Sequence, residues 1–224
     1  LAFSTIKPQM SYMLVPLLLL WALRYRRYYV AGGFLGMFAL LMSASFILQP
    51  NWFGDWLNQM LLYPQYTSIA YPDTGSPVWI ITQEWLGLGD IAELGVSAIF
   101  IAVMLWGWWM IIMQKQSDKL LWVIALTLVV THLVALRTAT PHFVIFNVVW
   151  LFYIRKFKSA GVFLALGVQF IGMWLLFFIT VQGRDTLEHP IMFIPTTFLA
   201  FALLIITREQ WWHEKFEPTE RGIA

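Results

Sequence analysis

Long apolar runs, each closed by a small group of charged or turn-forming residues, dominate this chain. A bilayer core takes about 20 apolar residues per helix, with a range of roughly 17 to 25. Seven runs fit that pattern: Pro8–Leu23, Val30–Leu48, Ile91–Met113, Leu120–Leu136, Thr138–Ile154, Gly161–Gln182 and Pro190–Thr207. The first and fifth are short for a full crossing. The pattern changes between Leu48 and Ile91. "NWFGDWLNQMLLYPQY" sets Trp52, Phe53, Trp56, Leu57, Met60 and Leu61 near helical spacing. "SPVWIITQEWLGLG" offers Ser76 as an N-cap and Pro77 at the first helical position. Val78, Ile81, Trp85 and Leu88 then share one face. The turn-rich "YPDTGSP" separates the two. The periodicity predicts an all-α polytopic transmembrane bundle of about seven spans. It also predicts two short amphipathic helices lying on the membrane interface.

Composition agrees. Of 224 residues 60% are hydrophobic and 12% charged, about half the charge of a soluble domain. A net charge of +2 gives no footing for a nucleic-acid partner. The absence of Cys excludes disulfides, thiolate metal sites and thiol nucleophiles. No repeat or low-complexity segment breaks the chain. It reads as one transmembrane domain over residues 1–224. The opening "LAFSTI" resembles the end of an earlier helix, which predicts the C-terminal part of a longer protein.

Charge sets the orientation. Fourteen Lys and Arg are present. If the stretch after the first run is cytoplasmic, the inside segments hold all of them except Lys7, Arg137 and Arg184. Residues 49–90 are then an extracytoplasmic loop and residues 208–224 a cytoplasmic tail. Any one of the three outside cations can be a plain anchor reaching for lipid phosphate. Their surroundings suggest more. Pro8 suits a helix start and holds Lys7 just before it, where free N–H groups favour an anion. Gln9 adds an amide donor. "LRTATPHF" joins two runs and gathers Arg137, Thr138, Thr140 and His142. A guanidinium, two hydroxyls and an imidazole in six residues can bind an oxyanion. "QGRDTLEHP" repeats the theme more weakly, since Arg184 can pair with Asp185, and Glu188 with His189. Trp79, Glu84 and Trp85 are candidates for a substrate groove, and so are Arg184 and His189. His132 lies inside a run with no second ligand at helical spacing and reads as a packing contact. The outside carboxylates show no metal-ligand spacing, and neither a metal nor another cofactor is expected.

"IKPQ" before an apolar run, followed by "RYRRYYVAGGFLG", resembles the middle of the family 87 glycosyltransferases. These GT-C-type membrane enzymes include the polyprenyl-phosphate-mannose-dependent mannosyltransferases. The loop "GSPVWIITQEWLGLG" and the "RTATPHF" corner fit the same pattern. The resemblance implies an integral protein of the bacterial plasma membrane with its site on the extracytoplasmic face. It implies a polyprenyl-phosphate sugar donor and a lipid or glycan acceptor. The family's catalytic Asp belongs to a first extracytoplasmic loop with no counterpart in these residues, so the catalytic residue is unassigned. Lys7, Gln9, Arg137 and His142 are the implied contacts of the donor phosphate. A transporter or flippase-like bundle is the alternative. It predicts ionisable residues along the spans, where only His132 is found.

Overall fold

A computed structural model describes residues 11–70, 75–135, 145–157, 160–181 and 194–212. The described residues are helical with short turns. In chain order the elements are α1 (Leu14–Arg24), α2 (Tyr28–Leu48), α3 (Trp52–Ala70) and α4 (Pro77–Trp79), which runs into a π-helical turn (Ile80–Trp85). Next come α5 (Asp90–Ile112), a 3₁₀ turn (Ser117–Lys119) and α6 (Leu120–Val134). The last four are α7 (Phe146–Phe157), α8 (Ala160–Val181), α9 (Ile194–Ile206) and α10 (Arg208–Trp212).

Helix α6 is the axis of the bundle. From Trp122 to Leu133 every residue except Ile124 is buried. A helix buried on all sides must be surrounded, and α1, α4, α5, α7 and α9 all pack against it. Helix α2 is the opposite case, with Ala31 its one buried residue and α1 its packing neighbour. Its apolar surface suits lipid rather than water. Helix α2, helix α5 and the stretch Ser117–Val134 are long and apolar enough to cross a membrane. Helices α1 and α9 are apolar but shorter.

Side-chain bonds fix the helix directions. Arg24 Nε donates to Ile112 O at 2.7 Å and Tyr25 Oη to Ile111 O at 3.1 Å, so α1 and α5 end together. Trp122 Nε1 donates to Leu204 O at 2.9 Å, which joins the start of α6 to the end of α9. Tyr153 Oη lies 3.4 Å from Thr207 Oγ1, bringing the end of α7 to the same place. Trp212 closes this end, edge-on to Trp122 and with Lys119 Nζ 4.0 Å from its ring centre. Arg24, Lys115, Lys119, Arg155 and Arg208 all lie at or beside it, and we call it the basic end. At the opposite end His132 meets Phe146 edge to face at 5.3 Å.

The two helices expected at the membrane interface depart from the periodic expectation. The first is longer than foreseen, at 19 residues. Phe53, Trp56, Leu57 and Leu61 are exposed on it, and rings of Phe46, Trp52, Phe53 and Trp56 form a chain of contacts. The second does not lie on a surface. Ser76, Pro77, Val78, Ile80 and Thr82 are buried, whereas Trp85 and Leu88 are exposed. The π turn is the physical reason. Leu86 N donates to Ile81 O at 3.1 Å, one residue further back than in an α-helix. The wider turn shifts the phase, so the face Val78, Ile81, Trp85, Leu88 is not formed.

Candidate functional site at the polar end

The π segment is held by its own sequence. Ser76 caps it, accepting from Trp79 N at 2.9 Å, and Pro77 occupies the first turn. The Trp79 ring lies flat against Gly75. A Cβ built on Gly75 would sit 2.3 Å from Trp79 Cε3, so no larger residue fits there without movement. Thr82 Oγ1 donates to Val78 O at 2.8 Å, which satisfies the hydroxyl and lets it be buried. The segment then leaves the bundle through Gly87 and Gly89, whose φ values of 62° and 79° favour glycine. Gln83 Nε2 donates to Asp90 Oδ1 at 2.8 Å and also to Glu93 Oε2. This amide bridge ties the π turn to the first turn of α5, where two carboxylates also suit the helix dipole.

The buried polar residues have an uneven distribution. They are Ser11, Ser76, Thr82, Thr127, Thr131, His132, Thr196 and Thr197. Thr127 lies at the midpoint of α6. Thr131 and His132 lie in its last turn, Thr196 and Thr197 in the first turn of α9, and Ser11 precedes α1. All but Thr127 therefore occupy the end opposite the basic one. Several are paid for locally: Thr131 Oγ1 donates to Thr127 O at 2.6 Å, and Trp108 Nε1 donates to Thr127 Oγ1 at 2.9 Å. His132 Nδ1 is 2.8 Å from Leu128 O, which selects the tautomer protonated at Nδ1 in the neutral ring. These contacts fit the expectation that His132 packs inside the bundle.

Of the residues singled out by sequence, Trp79 is half-buried against Gly75, and Glu84 and Trp85 are exposed on the π turn. Lys7, Gln9, Arg137, His142, Arg184 and His189 lie outside the described residues. The described elements that lead to them end at the polar end: Ser11 follows Gln9 by two positions, Ala135 precedes Arg137 by two, and Ile194 follows His189 by five. Sequence reading missed Gln83 with Asp90 and Glu93, and it missed the buried threonines. Thr127 and Thr131, four apart on an otherwise apolar run, were the available signal. Among the described residues no group of three or more His, Asp or Glu could hold a metal ion. No family model, curated protein or solved structure matches this chain.

Proposed function

We propose that this chain is the membrane part of a glycosyltransferase that uses a polyprenyl-phosphate sugar, most simply mannose, on the extracytoplasmic face. The acceptor is a lipid or glycan on that side. The observation that carries the reading is the segregation of buried polar side chains to one end of the bundle, opposite the basic end. Positive-inside orientation makes the basic end cytoplasmic, so the polar end faces outward. Hydroxyls and an imidazole can be held inside a membrane bundle when they are hydrogen-bonded, and their gathering at one end suits a polar substrate group.

In this reading Lys7, Gln9, Arg137 and His142 bind the donor phosphate. Cations there stabilise charge that develops on the phosphate as the sugar leaves, which lowers the barrier only if they bind the departing phosphate more strongly than the intact donor. Trp79 at the end of α4 and Glu84 and Trp85 on the π turn, with Arg184 and His189, line the adjoining substrate groove.

The test compares a polyprenyl phosphate with the uncharged polyprenol of equal length, measured by native mass spectrometry or tryptophan fluorescence. The phosphate should bind more tightly. Lys7→Met and Arg137→Ala should each weaken it roughly ten- to a hundredfold, since a lost charged hydrogen bond costs about 1.5 to 3 kcal/mol. Lys7→Arg should recover part of the loss. Equal binding of the alcohol, or full affinity in both variants, would overturn the reading.

A further inference from the structure

The turn between α1 and α2 carries Arg24, Arg26 and Arg27 within four residues, and no Asp or Glu occurs in the chain before Asp55. All three arginines are exposed. The contact of Arg24 Nε with Ile112 O, beside that of Tyr25 Oη with Ile111 O, presses this turn against the end of α5. The turn that follows α5 carries a fourth exposed cation, Lys115. Arg27 is held too: its guanidinium lies 5.3 Å from the Trp21 ring centre and its Nη1 donates to Tyr29 Oη at 3.1 Å. The hydrogen bonds of Arg24 and Arg27 go to neutral oxygens. Of the five N–H donors on each guanidinium, each of these bonds takes one.

Two further features single out this corner. Among the described residues only Arg26 and Lys115 are non-glycine residues in the left-handed region, with φ of 56° and 58°. Both are basic and both lie in these two adjacent turns. A side-chain-bearing residue adopts that backbone at a cost. The second feature is the apolar wall beside the charge. Tyr28 and Tyr29 are exposed where α2 begins, and Leu35 and Leu40 are exposed further along it. Among the described residues, Asp118 is a carboxylate near the corner and acts electrostatically on Tyr25.

We propose that the α1–α2 turn, together with Lys115, is a binding site for the headgroup of an anionic phospholipid, whose acyl chains lie along α2. Charge complementarity selects the anion, and the continuous bare face of α2 selects a lipid over a soluble phosphate. The site lies at the basic end and does not depend on the proposed donor-phosphate residues.

The whole chain in phosphatidylcholine nanodiscs should take up phosphatidylglycerol, and native mass spectrometry after release should show bound lipid. Each basic residue near a membrane surface contributes roughly fivefold in affinity for anionic lipid. The triple variant Arg26→Gln, Arg27→Gln, Lys115→Gln should therefore bind about a hundredfold more weakly. Replacing the same three positions by Lys, Lys and Arg should preserve binding, which separates loss of charge from loss of fold. Arg155→Gln, at the same end on α7, should change binding little. The proposal fails if the triple variant retains phosphatidylglycerol, if Arg155→Gln weakens it as much, or if inorganic phosphate competes as well as the lipid does.

Discussion

Gly75 and Ser76 set the start of the π segment, and both can be tested singly. Gly75→Ala drives a methyl into the Trp79 ring, with 2.3 Å to Cε3. Overpacking of this kind costs about 1 to 3 kcal/mol. Ser76→Ala removes the acceptor for Trp79 N and should cost about 1 kcal/mol. Both losses should appear as lower unfolding midpoints in detergent, with Gly75→Ala the larger. If neither substitution shifts the midpoint, the segment is not anchored as described. The Ser76 cap was legible in sequence, because Ser-Pro before an apolar run is a helix-start signal. The burial of Thr82 was not. A threonine whose hydroxyl bonds back to the carbonyl four residues earlier can be buried as readily as an apolar residue. Nothing in the residue's identity announces that choice.

At the scale of elements, the π turn decides which side chains of residues 77–88 enter the bundle. An amphipathic α-helix on the interface would bury Leu88 in the apolar phase together with Val78. In the observed turn Ile80 is fully buried and Leu88 is 58% exposed. Ile80→Ala should therefore destabilise the protein by about 2 to 5 kcal/mol, while Leu88→Ala should stay within about 0.5 kcal/mol. Equal effects, measured by chemical unfolding of the two variants, would favour a regular interfacial helix. The periodic reading went astray here because it assumed 3.6 residues per turn throughout. A single i→i+5 turn leaves composition and hydropathy unchanged but rotates every later side chain. The apolar spans were easier to read, since α2, α5 and α6 follow the runs within a few residues. Their rank was not legible: α2 and α6 are similarly apolar, yet one is bare and the other is the axis of the bundle.

For the whole molecule, the gathering of the described Lys and Arg at one end is the feature that sequence and structure share. Where Lys and Arg fall between the apolar runs does not depend on how helices pack, which is why their grouping could be read from sequence. The polar end is different. It is assembled from Ser11, Ser76, Thr82, Thr131, His132, Thr196 and Thr197, which come from four parts of the sequence and are brought together on one bundle because α1, α4 and α9 all pack on α6. The central claim is that a polyprenyl phosphate is bound at that end. The most direct measurement is photo-crosslinking of the protein in membranes with a polyprenyl phosphate bearing a photoreactive group on the isoprene unit next to the phosphate. Adducts would be mapped by peptide mass spectrometry. The account predicts adducts in Ser76–Trp85 and in the peptides around Lys7 and Arg137, suppressed by excess unlabelled polyprenyl phosphate. Competable adducts confined to Arg24–Tyr29, or spread along the lipid-facing surface of α2, would contradict it.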